Sequence, residues 1–334
     1  MPRRLLPLPA SISGPVFTAA EARAAGISGG RLRAADVSRI DRGLYVRTER
    51  SNGAASSPES DGTPHEEGAS TVREADVIRA LQRADPDAVA CGLSAARLWN
   101  LPLPLGLSSW DADDPDSTIT MSLTGFHRLN TKQVTWRSSD ISSRERARLR
   151  GIGTTTRLRT FLELAEVLPQ DDLVAIGDHL VRMPRPSLEG RSLPHVPIDE
   201  LSDVVVRFRG RGSRRLRSAM ADVRVGADSP QETFLRLALL RSGLPEPVLN
   251  TTIRQDGRWL GEPDMSWPQW KVCLEYDGRH HRSRTQQEKD ILRGERRRLA
   301  GWTELVVSVG DMDRGAARAI ERVRSELRRR GHTG

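Results

Sequence analysis

Between Gly261 and His281 the chain reads GEPDMSWPQWKVCLEYDGRHH, which gathers Asp264, Glu275, Asp277 and His281 within a short span. Glu275 and Asp277 stand two residues apart at the end of the strand-like run Lys271-Val-Cys-Leu274. Alternate residues of a strand share a face, so the two carboxylates project together. If the segment ending at Asp264 is the neighbouring strand of a hairpin, three acidic side chains converge. Carboxylates that close repel and raise one another's pKa, a cost usually offset by a divalent cation. A hard-metal site is therefore the first expectation. The spacing also permits plainer roles, since Asp277-Gly278 is an ordinary turn dipeptide and Glu275 is compatible with a solvated position.

The elements that must position these residues surround them. Ser229-Pro-Gln-Glu232 is a capping box with proline at the first helical position, and it opens an amphipathic helix running to Ser242-Gly243. Val248 to Arg254 and Arg258 to Glu262 read as strands joined by Gln255-Asp256-Gly257, a hairpin signal. The strand ending in Glu275 follows, then a polar helix from about Arg284 to Ala300, then a strand from Glu304 to Val309. The expected order is α-β-β-β-α-β.

This order, with Pro263-Asp264 on the second strand and Glu275-Tyr276-Asp277 on the third, resembles the PD-(D/E)XK nuclease core. Val-Cys-Leu-Glu-Tyr-Asp-Gly-Arg-His-His, followed by Gln286, Asp290, Arg293 and Gly301-Trp302, resembles more closely the very-short-patch-repair-like (Vsr-like) endonuclease domains of actinobacterial proteins. The resemblance covers roughly the last hundred residues. It departs from the family pattern at Asp277, which stands where the lysine two residues after the glutamate is usual.

The resemblance implies Mg2+-dependent, or Mn2+-dependent, cleavage of DNA phosphodiester bonds. Asp264 and Glu275 would hold the metal, with the carbonyl of Tyr276 as a further ligand. Asp277 would be a third ligand or orient the water. His281 is the candidate general acid or base, because an imidazole titrates near neutrality; the resemblance favours it over His280. Glu232 is a supporting carboxylate whose capping role already accounts for it. Asp290 and Arg293, at i and i+3 on one helix face, more naturally pair with each other. The alternative function is a non-catalytic DNA-binding regulator or antitoxin-like protein with a degenerate nuclease fold.

A chain of 334 residues exceeds what one core normally serves, and the expected class is a multidomain α+β or α/β protein. No apolar run approaches the length of a spanning helix, prolines interrupt the N-terminal apolar residues, and two distant cysteines, Cys91 and Cys273, provide neither a disulfide framework nor zinc spacing. A cytoplasmic protein without a membrane partner is expected. The net charge of +8 favours a polyanionic partner, although all but three of the 52 basic residues are arginine, a sign of compositional bias.

Near the start, Thr18-Ala-Ala-Glu21 is a second capping box, opening a helix that ends at Gly26. Ser28 then caps an expected helix from Gly29 to Ala35, and Val37 to Arg47 alternates like a short hairpin about Gly43. Helix, turn, helix and two-stranded wing make a winged helix-turn-helix over residues 14–48. The run FTAAEARAAGISGGRLRAADVSRIDRGLYVR resembles the N-terminal domain of AbiEi-type antitoxin proteins. The resemblance implies DNA as partner, with Ser28, Arg31 and Arg33 on a helix entering the major groove and Arg42 and Arg47 on the wing beside phosphates. It also raises a cognate toxin as a partner.

Residues 49–70 have almost no large apolar side chain and read as a disordered linker. A mixed α/β middle region, 71–200, follows. It has helices at Glu74 to Ala84, at Val89 to Trp99 through a Ser94 cap, at Thr160 to Val167 and at Asp171 to Arg182; strands are expected at Ser117 to Leu123 and Gln133 to Trp136. Residues 201–225 form a basic connector, and 226–334 the endonuclease-like domain.

Overall fold

The computed structural model describes residues 7–48, 72–125, 128–278 and 284–334, in two compact units, 1–160 and 161–334. The expected middle region is thus shared between them.

The first unit runs β1 (Val16–Thr18), α1 (Ala19–Ala24), β2 (Val37–Asp41), β3 (Leu44–Arg47), α2 (Glu74–Ala84), β4 (Val89–Ala90), α3 (Gly92–Leu98), β5 (Ile119–Ser122), β6 (Val134–Arg137), β7 (Arg146–Leu149), β8 (Ile152–Thr155) and α4 (Arg157–Leu164), the last crossing into the second unit. Its strands form a three-stranded sheet, β1-β3-β2, and a five-stranded sheet, β6-β5-β4-β8-β7. The Thr18 hydroxyl accepts the Glu21 N–H while the Glu21 carboxylate accepts the Thr18 N–H, closing the expected box on α1.

Two local expectations are corrected. The helix from Gly29 to Ala35 is a three-residue 3-10 turn, Arg31–Arg33; consecutive glycines at its entry raise the entropic cost of helix. Ser94 lies inside α3 and does not cap it: its hydroxyl donates to Glu74 and accepts the Thr120 N–H. Residues 14–48 divide their apolar side chains between two cores: Phe17, Ala22 and Val37 pack with Ile12, Ile27, Leu32 and Tyr45 in a small cluster of the N-terminal segment itself. Val16, Leu44 and Val46 join one cluster with Val77, Ile78 and Leu81 of α2 and with Ile119, Met121, Val134 and Ile152.

The second unit contains α5 (Gln170–Val181), α6 (Pro186–Glu189), α7 (Ile198–Arg207), α8 (Ser213–Asp222), α9 (Pro230–Arg241), β9 (Val248–Leu249), β10 (Ile253–Gln255), β11 (Arg258–Gly261), β12 (Met265–Trp267), β13 (Val272–Asp277), α10 (Arg284–Leu299), β14 (Thr303–Ser308) and α11 (Asp313–Arg329). The stretch read as a basic connector is α7 and α8, whose Leu201, Val205, Leu216 and Ala219 are buried while the arginines face outward.

A four-stranded sheet, β14-β13-β12-β9, carries the candidate site. Its β13–β14 pair is parallel and the other pairs antiparallel. The expected two strands between Val248 and Glu262 are instead a two-residue strand, β9, and a separate hairpin, β10–β11. The left-handed backbone at Asn250 breaks the first strand. Asp264 consequently stands just before β12, at the start of the strand neighbouring β13 and not at the end of one.

Strand alternation divides β13 between two surroundings. Val272, Leu274 and Tyr276 join a core with Leu235 and Leu239 of α9 and Val323 and Leu327 of α11. Cys273, on the opposite face, packs with Ile253, Leu260 and Trp302, and Glu275 and Asp277 share that face by alternation.

Candidate active site

Asp264 is fixed by the backbone on both sides. Its carboxylate accepts the Tyr276 N–H at 2.6 Å, and its carbonyl accepts the Asn250 N–H at 3.1 Å. Glu232 comes in from the first turn of α9, where proline and the Ser229 cap start the helix. One Glu232 oxygen accepts the Ser229 hydroxyl at 2.8 Å; the other accepts the Asp228 N–H and the Asn250 side-chain amide, each at 2.9 Å. Asn250 therefore ties Glu232 to Asp264, while its own Oδ1 is buried without a donor.

Burial raises the Asp264 pKa to about 7, with repulsion from Glu232 the next contribution and Glu275 and Asp228 adding to it; the Tyr276 N–H opposes the rise. Burial likewise raises Glu232, against the hydrogen bonds that favour its charged form. Asp228 does have cationic partners, Arg185 at 2.5 Å and Arg182 at 3.2 Å.

Glu275 belongs to a different network. Arg297 of α10 donates to it at 2.8 Å, and Arg293 lies 3.7 Å away. Arg297 is fully buried, donates to the Leu260 carbonyl and pairs with Glu304 at 2.9 Å. Gly261, at φ +103°, makes room for these arginines: a Cβ there would meet Arg293 Cδ at 2.7 Å and Arg297 Nη2 at 2.9 Å. Arg293 and Asp290 pair at 3.0 Å, as their i, i+3 spacing suggested. Burial pushes the Cys273 thiol up to about 12, which removes it as a nucleophile at neutral pH.

The expected trio of Asp264, Glu275 and Asp277 does not form a shared ligand set; among the described residues no three His, Cys, Asp or Glu side chains are placed to hold one ion. The reason is local: Arg297 draws Glu275 away, and Glu232 takes its place beside Asp264. His281 lies outside the described residues. Asn250 bonds the Glu232 carboxylate through its side-chain amide and the Asp264 main-chain carbonyl through its N–H, so the two carboxylate residues are held by one asparagine whose own Oδ1 has no donor among the described residues. They fit a hard cation of the magnesium type, which commonly takes one or two protein carboxylates and fills its shell with water and phosphate oxygens.

No family model matches the chain. Two uncharacterized proteins of Mycobacterium tuberculosis, from strains CDC 1551 and H37Rv, are each 28% identical to it over 132 residues. Those residues are 39% of this chain and 49% of each relative, so the chain spans about half the length of the curated relatives it matches.

The residues expected to contact DNA are dispersed in their roles. Ser28 accepts the Arg31 N–H, and Arg31 makes two 2.7 Å bonds to Asp36. Arg47 is half-buried, 3.5 Å from the Ile12 carbonyl. Arg33 and Arg42 are exposed. A three-residue 3-10 turn is too short to present a recognition helix to a major groove, so the expected helix insertion through Ser28, Arg31 and Arg33 is not the arrangement found.

The arrangement of Asn250 and Arg297 was not anticipated from the sequence. Arg293 and Arg297 are one i, i+4 step apart on α10, a spacing that marks a common face. Nothing local signals that Glu275 lies opposite it.

Proposed function

We propose that the second unit is a divalent-metal-dependent nuclease domain acting on DNA phosphodiester bonds. The observation that carries this reading is Asp264: a half-buried carboxylate whose pKa is raised to about 7, beside the buried carboxylate of Glu232 and, among the described residues, in no ion pair with an arginine. The resemblance of the surrounding motifs to the PD-(D/E)XK and Vsr-like endonucleases supports the same conclusion.

When bound, Mg2+ or Mn2+ would polarise the scissile phosphate and acidify a water. Asp264 and Glu232 would hold it. The Tyr276 N–H fixes the Asp264 carboxylate, and Ser229, Asp228 and Asn250 orient Glu232, so both are pre-positioned. Glu275 acts one step back, holding Arg297 and Arg293 against the Gly261 turn. His281 is the proposed proton carrier. In the first unit, the helix and hairpin of residues 14–48 are proposed as a winged-helix-like DNA contact through the exposed Arg33 and Arg42.

A second reading is favoured by two observations: Glu275 is already neutralised by arginine, and Asp277 occupies the position of the customary lysine. On that reading the unit binds DNA without cutting it, as part of a regulator or antitoxin-like protein. Nicking of supercoiled plasmid in Mg2+ or Mn2+ separates the two. Wild type is expected to nick and Asp264→Asn to lose at least about 10²-fold, since metal assistance supplies several kcal/mol and each 1.36 kcal/mol is tenfold in rate. Equal traces of cleavage from both proteins would leave the non-catalytic reading.

A further inference from the structure

In the first unit, two unrelated periodicities bring arginines into one groove. On α2, Arg79 and Arg83 are four residues apart and share a helix face. On β7, Arg146 and Arg148 are two apart and share a strand face. All four line a cavity of about 710 Å³, and among the described residues no acidic side chain lines it. β7 is an edge strand of the five-stranded sheet, so the groove lies along the border of that sheet.

The charges are differently committed. Arg79 pairs with Asp76 at 3.0 Å and Arg83 with Glu21 at 2.6 Å. Arg146 is held by the carbonyls of Ile141 and Asp87 and by the Thr124 hydroxyl, and Arg148 by the Gly151 carbonyl. Among the described residues neither Arg146 nor Arg148 makes an ion pair, so carbonyls position both guanidinium groups while leaving their charge uncompensated.

Arg79 also lines a second cavity of about 360 Å³, together with Arg150, Arg157 and Trp99. A single compact anion would need only one of these cavities. Two in succession, sharing an arginine and joined by a basic edge strand, suit a ligand whose negative charge repeats along its length; Trp99 in the second already carries the Arg157 guanidinium over its ring at 4.0 Å, so the second cavity adds positive charge.

We propose that this groove, centred on Arg79, Arg146 and Arg148, is a binding track for the phosphodiester backbone of nucleic acid. It is separate from the acidic site and does not depend on hydrolysis there.

The test is fluorescence polarisation of the full-length protein with a labelled 20-base-pair DNA duplex and with the matching single strand, in EDTA, across a salt series. Arg146→Gln/Arg148→Gln is compared with Arg207→Gln/Arg209→Gln, which removes the same charge from exposed positions of the second unit. Groove substitution is expected to weaken binding of at least one of the two DNAs tenfold or more. It should also flatten the dependence of log K on log salt by roughly 0.9 per lost duplex phosphate contact, or 0.7 on single strands. The control should change affinity less than threefold. Arg146→Lys/Arg148→Lys should keep the salt slope, which guards against a folding defect in the glutamine variant, and Arg79→Gln should weaken binding independently. Affinity for both DNAs unchanged by the groove substitutions, or reduced no more than by the control, would overturn the proposal. The hydrolytic reading fails separately: Asp264→Asn should bind DNA as wild type does, whatever its cleavage.

Discussion

Asp178 and Asp264 are two aspartates of the same unit, one fully buried and one half-buried, and they are treated in opposite ways. Asp178, on α5, is 1% exposed and accepts the Thr233 hydroxyl at 2.8 Å, the Arg236 guanidinium at 2.8 Å and the Arg224 N–H at 2.7 Å. Its partner Arg236 is itself fully buried. Burial raises the Asp178 pKa, while Arg236 and these hydrogen bonds pull it back. Asp264 has one backbone N–H and a repelling Glu232. The fold compensates one carboxylate and, among the described residues, gives the other no cationic partner, an arrangement that persists at a cost to stability. Such costs concentrate at sites that bind or react.

The comparison breaks most visibly at Asp178. Asp178→Ala leaves Arg236 buried and charged without its counter-ion, and loss of one partner of a buried pair costs about 3–5 kcal/mol. Urea unfolding should show that loss as a lower midpoint at unchanged slope. Asp264→Asn, by contrast, keeps an oxygen for the Tyr276 N–H and removes a repelled charge, so its midpoint at pH 8 should rise.

The pH dependence sharpens the same contrast. Asp264 has an ordinary pKa of 3.8 and one of about 7 when folded. Between those values the folded state binds the proton and the unfolded state has released it, so stability is full below about pH 4 and is lost as pH rises toward 7. At 1.36 kcal/mol per unit, the whole window is worth at most about 4 kcal/mol, less whatever solvent screens. Stability curves from pH 4 to 8 should therefore slope downward more in wild type than in Asp264→Asn. Equal slopes would place the proton uptake elsewhere.

What was legible in the sequence was local. The capping box at Thr18, the Ser229 cap, the strand ending in Glu275 and Asp277, and the Asp290–Arg293 pairing follow from spacings of two to four residues; the box expected at Ser229 is only half closed, because Glu232 accepts the Asp228 N–H in place of that of Ser229. What was not legible depended on distant chain. Gly29-Gly30 made a turn where the Ser28 cap suggested a helix. The alternating arginines of β7 resemble a solvated loop until the neighbouring strands supply a sheet edge. Glu232 was visible as a cap, but its place beside Asp264 depends on Asn250, eighteen residues further along. Glu275 looked like a ligand because its arginine partner lies on another element, and only packing across Gly261 brings Arg297 to it.

The most direct measurement is a carbon-13 NMR titration of aspartate carboxyls in the full-length protein, with Asp264 assigned by its disappearance in Asp264→Asn. The account predicts a midpoint near 7 that shifts downward when Mg2+ is added, because a bound cation favours the ionised carboxylate. A midpoint near the ordinary aspartate value, unmoved by Mg2+, would contradict it.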